Sequence, residues 1–200
     1  MESIHLRRGP ALNLSKGFSL IELLVVLAII GVIMTIVLTS QSTFNKTLIL
    51  KNTAYDIALT LRNTQTYGMS SRASASNVGY GIHFITGKTF TLFADTTGGG
   101  SCAGRHPDCS PGDHKYGSGD TSVQTYTLGN GITISALCAG STCSSSQLDV
   151  LFARPNSDVF VNGSSGSACI MVTSPQGGAR YIYIGAAGQI IANATQCTNL

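Results

Sequence analysis

A single carboxylate, Glu22, sits inside the run KGFSLIELLVVLAIIGVIMTIVLTS at residues 16–40, and that run constrains the chain more than any other stretch. From Leu20 to Leu38 the apolar series is interrupted only by Glu22, Gly31 and Thr35. With its flanks it reaches the roughly 20 residues that a helix needs to cross a bilayer. A removable secretory signal has a shorter core, about 7 to 15 residues, followed by a small-x-small cleavage site. Thr39, Ser40 and Gln41 follow here instead, and a plain anchor leaves the acid unexplained. A buried carboxylate costs on the order of 2.5–3.5 kcal/mol on insertion scales for Asp, less near a helix end. Either Glu22 snorkels to the interface or a cation offsets that cost.

The flanks of the run are informative. Net charge is +3, and most of the excess precedes Phe18, where Arg7, Arg8 and Lys16 oppose only Glu2. The positive-inside rule holds that end in the cytoplasm. Beyond the run, Cys102, Cys109, Cys138, Cys143, Cys169 and Cys197 all lie in Gly- and Ser-rich sequence. An even cysteine count in such a context predicts disulfides and an oxidising compartment outside the cytoplasm. Nearest-neighbour pairing is expected, Cys102 with Cys109, Cys138 with Cys143 and Cys169 with Cys197, because each pair brackets a plausible loop. Charged residues are only 10% of the chain, against about 25% in typical domains. The surface of the exported part is therefore polar but largely uncharged.

Lys16-Gly17-Phe18-Ser19-Leu20-Ile21-Glu22 resembles the processing site of type IV prepilins: a short basic leader, Gly, Phe, and Glu as the fifth residue after the cut. The resemblance implies that the prepilin peptidase/methylase cleaves between Gly17 and Phe18, removes residues 1–17 and N-methylates Phe18. It also implies a role for Glu22. The new α-amino group of Phe18, on the same or a neighbouring subunit, is the cation that neutralises it, and in the family this contact sets the axial stagger of assembly. The implied partners are the peptidase, other pilin or pseudopilin subunits and an inner-membrane assembly platform. The implied location is a single-pass inner-membrane protein whose C-terminal domain lies outside the cytoplasm and then enters a filament.

Downstream the helix is predicted to continue. No proline occurs between Pro10 and Pro107, and Thr47, Leu50, Ala54, Ile57 and Leu61 step by three and four, the spacing of one helical face. An unbroken helix from Phe18 to about Gly68 is roughly 75 Å long at 1.5 Å per residue, so its second half must pack on the exported domain. From Val78 the period becomes two. Tyr80, Ile82 and Phe84 alternate with Gly81 and His83, and Thr89 to Phe93 returns after Thr86-Gly87. Further strands are predicted at Val123–Leu128, Ile132–Leu137, Leu148–Ala153, Ile170–Thr173, Tyr181–Ile184 and Gln189–Ala192. Gly129-Asn130-Gly131 and Gly185 to Gly188 are expected to turn hairpins between them. The expected fold class is α+β, a long N-terminal helix packed on an antiparallel β domain. Its expected parts are a leader (1–17), a transmembrane or filament-core helix (18–39), an amphipathic continuation (40–69) and the β domain (70–200) with a Gly/Cys-rich insert at about 96–122.

The succession ALTLRNTQTYGMSSRASA, VGYGIHFITGKTFTLFAD, DVLFARPN, ACIMVTS and ARYIYIGAAGQI resembles the H-type minor pseudopilins of type II secretion and their FimT-like relatives in type IV pili. The insert has no counterpart there. The function so implied is that of a structural minor pseudopilin, with a minor or major pilin of a type IV pilus, including a DNA-uptake pilus, as the alternative. Major pilins of this family often carry a proline about twenty residues after the cut, where this chain has Thr39.

Other chemistries are weaker. Cys102, His106, Cys109 and His114 lack the tight spacing of a zinc site. Asp108, Asp113 and Asp120 lack the order of a calcium loop, so they are expected to be solvated loop acids and no metal or cofactor is expected. No G-x-S-x-G, H-E-x-x-H or phosphate-binding loop occurs. A membrane-anchored exported enzyme is thus the least favoured reading, and His83, inside a strand, is expected to be structural. DNA-binding FimT-like relatives open the closing strand with Gly-Arg-x-Arg, whereas this chain reads Gly188-Gln189-Ile190-Ile191. Phosphate contacts need clustered bases, and Lys88, Arg105, Lys115, Arg154 and Arg180 are scattered. DNA is therefore expected to bind weakly or not at all.

Overall fold

The computed structural model describes residues 17–70, 79–96, 112–153, 158–194 and 196–197. It contains one long helix, α1 (Leu20–Met69), and eleven strands. The chain divides into two units, Met1–Thr43 and Phe44–Leu200.

In the first unit the helical turns from Leu20 to Leu38 carry apolar side chains on every face, and all of them are exposed. A helix apolar all round is one that lipid or neighbouring protein must cover.

The second unit is built from α1 beyond Phe44 and two antiparallel sheets. The strands are β1 (Gly79–Ile85), β2 (Thr89–Asp95), β3 (Thr121–Thr127), β4 (Thr133–Ala139), β5 (Thr142–Ser145), β6 (Gln147–Ala153), β7 (Val159–Val161), β8 (Ser164–Ser165), β9 (Ala168–Thr173), β10 (Ala179–Ile184) and β11 (Ile190–Ala194). One sheet runs β3-β2-β1-β6-β7-β8 and the other β11-β10-β9-β4-β5. Alternate residues of both sheets point into one apolar core: Ile82, Phe84, Phe90, Leu148, Val150 and Phe152 from the first, Ile134, Leu137, Ile170, Val172, Ile182 and Ile184 from the second. The same core receives Leu50, Ala54, Ile57, Ala58 and Leu61 of α1. The face predicted from the i, i+3/i+4 spacing is thus the buried one from Leu50 onward, while Thr47 is exposed.

The end of the helix is also held by polar contacts. Arg62 Nη2 donates to the Ile190 carbonyl at 3.2 Å, and Gln65 Nε2 donates to the Gly188 carbonyl at 3.0 Å. At Gly68 backbones meet: a Cβ there would lie 2.5 Å from the Phe152 carbonyl oxygen.

Two features depart from the sequence expectation. Gly129-Asn130-Gly131 does not close a hairpin, because β3 and β4 belong to different sheets; the turn carries the chain from one sheet to the other. Asn130 (φ 56°) and Gly131 (φ 71°) adopt the left-handed conformations that a tight reversal needs. Strands β5, β7 and β8 carry no alternating pattern long enough to predict them. By contrast, Gly185 to Gly188 does join a hairpin, β10 to β11, with the Gly188 amide donating to the Gly185 carbonyl at 2.9 Å.

Candidate functional site

The N-terminal motif is shaped by the start of α1. Gly17, Phe18 and Ser19 are not helical, and the amides of Glu22 and Leu23 donate to the Ser19 carbonyl at 3.0 and 3.1 Å. Ser19 therefore occupies the position that accepts the first intrahelical bonds, and Glu22 lies three residues on, in the first turn. Ser-x-x-Glu is the spacing of a capping box, a signal overlooked in the sequence alone. An acid in the first turn also meets the positive end of the helix dipole. Phe18 is 82% exposed, so the Gly17–Phe18 bond lies in accessible, non-helical backbone immediately before the helix. Beyond it, Thr35 returns its hydroxyl to the Val32 carbonyl at 2.7 Å, so the polar group inside the apolar run is satisfied within the helix. A side chain at Gly31 would meet nothing within 4 Å.

Of the six cysteines, Cys138 and Cys143 form one disulfide, joining β4 to β5, and Cys169 and Cys197 form another. Cys138 and Cys169 are register partners on neighbouring strands, so the two bridges lie side by side beneath Tyr181 and Tyr183 on the outer face of the second sheet. Cys102, His106, Cys109, Arg105, Asp108 and Arg154 lie outside the described residues.

The outer face of the first sheet is covered differently. Residues 112–120 bring Tyr116 against Phe93, Leu151, Ala153 and Phe160. Gly81 makes room for this layer, since a Cβ there would lie 2.6 Å from the Phe93 ring. His83 Nδ1 lies 2.6 Å from Asp149 Oδ1, and its ring packs on Tyr116 at 4.6 Å. The Asp149 amide donates to Asn162 Oδ1 at 2.9 Å. His83 is thus a partnered strand residue, in keeping with a structural role.

Beside this layer the structure gathers three carboxylates, Asp95 at the end of β2 with Asp113 and Asp120, whose ligand oxygens all lie within 4.8 Å of one another. Asp95 is fully buried; its Oδ2 accepts from the His114 amide at 3.0 Å. Burial first, then the charges of Asp120 and Asp113, push its pKa up to about 7 against the pull of the His114 and Asp113 amides. Asp120 accepts from the Thr96 amide (3.0 Å) and the Gly117 amide (2.7 Å), and Asp113 Oδ1 accepts from the Lys115 amide at 3.0 Å. The His114 ring stacks on Phe160 at 3.9 Å, and burial lowers its pKa. Sequence reasoning named Asp113 and Asp120 but missed Asp95, which reads there as the polar end of a strand.

Among the described residues the basic side chains are engaged one by one rather than as a cluster. Arg62 and Arg180 donate to backbone carbonyls, Lys51 lies 5.8 Å over the Tyr55 ring, and Lys88 and Lys115 are exposed. At the start of the closing hairpin strand, Gln189 and Ile191 are the exposed side chains and Ile190 is the buried one. The two solvent-facing positions there carry no charge.

The family model described as Prokaryotic N-terminal methylation motif matches residues 12–38. Comparison with the curated proteins and with the solved structures finds no match. The chain therefore carries a type IV pilin-like prepilin signal, which implies processing by prepilin peptidase and assembly with other pilins. The motif supports a type IV pilin-like or pseudopilin protein and points to a structural subunit rather than an enzyme, while the apolar helix that follows suggests membrane anchoring.

Proposed function

We propose that this chain is a minor pseudopilin of H type, a structural subunit of the pseudopilus of a type II protein secretion system. Cleavage between Gly17 and Phe18 and methylation of the new amine would leave residues 18–39 as a helix that first spans the inner membrane and then enters the filament core. The observation that carries the pilin-like part of this reading is the conjunction of the methylation motif at residues 12–38 with a helix whose apolar side chains are exposed on all sides from Leu20 to Leu38; the H-type assignment rests on the resemblance of the segments that follow the helix. Burial of that surface among like helices, after extraction from lipid, supplies the assembly energy through close packing. Residues 40–69 present the β domain, which faces outward from the fibre.

In this reading Glu22 serves assembly. Its carboxylate, in the first turn of α1, is neutralised by the Phe18 amine of a neighbouring subunit as the helices come into register. Glu22→Ala is expected to insert and be processed like the parent chain but to enter sheared filaments at least about tenfold less, equivalent to about 1.4 kcal/mol. Immunoblotting of membrane and filament fractions checks this, and normal incorporation sinks the role. Gly17→Ala should leave the leader on, read as a mass increase of the uncut chain. Abundance in the sheared filaments separates the subunit classes: trace amounts fit a minor subunit, whereas bulk abundance assigns a major pilin. DNA plays no part in the proposed function, and a salt-sensitive mobility shift with duplex DNA at low micromolar protein would overturn that.

A further inference from the structure

The three-aspartate cluster carries an inference that does not depend on the pilin reading. We propose that Asp95, Asp113 and Asp120 form an oxygen-ligand site for a calcium-type divalent cation, tying the end of β2 to the segment at 112–120.

Proximity of acids alone does not make a site; the independent observation is the state of Asp95. Its side chain is shut off from solvent and Oδ1 has no hydrogen-bond partner among the described residues. A carboxylate oxygen removed from water without a partner is costly, and such orphans in native structures call for an ion, a water or a functional reason. Oδ2 already staples the loop by accepting from the His114 amide, so that structural task does not explain Oδ1. The two other acids approach it rather than a base. Among the described residues no lysine or arginine pairs with Asp95 or Asp113. Lys115 lies against Gly163 instead, and the neighbouring His114 ring stacks on Phe160 at 3.9 Å.

The donor set selects the metal. Carboxylate oxygens without imidazole or thiolate suit hard cations rather than zinc or copper. Ligands of one calcium ion stand about 2.3–2.6 Å from it, so two of them are at most about 5 Å apart, and the trio's spread of no more than 4.8 Å falls inside that limit. Asp120 is already fixed by the Thr96 and Gly117 amides and Asp113 by the Lys115 amide, so the ligands are held before any ion arrives.

The test uses the full chain in detergent micelles, stripped with EDTA and then titrated with calcium chloride or magnesium chloride by calorimetry and by thermal melting. One calcium ion per chain is expected to bind, with a dissociation constant at or below about 1 mM, as extracellular sites do, and to raise the melting temperature reversibly. Asp95→Asn should weaken binding at least tenfold. Asp113→Asn, at an exposed position that leaves the core intact, should weaken it too and keeps the test open if the first variant folds poorly. No saturable binding, equal binding by the parent and Asp113→Asn, or tighter binding of magnesium than of calcium would each overturn the proposal.

Discussion

Asp95 is the residue at which burial and charge conflict most. Its folded-state pKa of about 7 lies above its ordinary value of 3.8, so between those values the folded chain holds a proton that the unfolded chain has lost. Stability contributed by the neutral form is therefore present at low pH and is lost as pH rises from about 4 through about 7. The chelator-treated chain is expected to melt at a lower temperature at pH 8 than at pH 5. Asp95→Asn keeps the shape without the charge, and it should flatten that dependence and melt above the parent chain at pH 8. Differential scanning calorimetry at the two pH values checks both statements.

At the scale of elements, α1 changes its character along its length. Its early turns are apolar on every face, whereas from Leu50 a single stripe enters the core and Arg62 and Gln65 grip the β10–β11 hairpin. Gly68 lets the last turn approach β6 so closely that a methyl group would strike the Phe152 carbonyl. Gly68→Ala is expected to lose about 1–3 kcal/mol of stability, the usual cost of overpacking a fixed contact. Gly31→Ala, with nothing within 4 Å, should leave the fold unaffected or firm the helix by up to about 1 kcal/mol. Chemical denaturation of the two variants reads the difference. The strands legible from alternation, β1, β2, β6 and β10 among them, are those with long inward-facing apolar series. β5 and β8, made of Thr, Cys and Ser, exist because hairpin geometry and the Cys138–Cys143 bridge hold them beside a neighbour.

For the whole molecule, the second unit is stabilised by one core shared between α1 and both sheets, with satellite layers on the two outer faces. The disulfide layer closes one of them: Cys197, after β11, bonds Cys169 on β9 across a separation of 28 residues. Closing a loop of that length stabilises by about 2–4 kcal/mol, chiefly by restricting the unfolded chain. The paired substitution Cys169→Ser with Cys197→Ser is therefore expected to lower the melting temperature by several degrees. A thermal melt of the variant beside the parent chain measures it. At least that loss should follow reduction, which opens the Cys138–Cys143 bridge as well.

The chain by itself determined the features that depend on local order. These are the basic residues ahead of Phe18, the Gly-Phe junction with Glu as the fifth residue beyond it, a run long and apolar enough for a membrane, and the change from a period of 3.6 to a period of two near residue 78. Such signals survive in sequence because each arises from neighbours within a few residues. The tertiary structure decided what depends on distant residues meeting. It sent Gly129–Gly131 across from one sheet to the other, set two disulfides side by side through Cys138 and Cys169 on neighbouring strands, and buried Asp95 beside two acids from the segment at 112–120. No local period encodes those meetings; the shared core and the register of the sheets do.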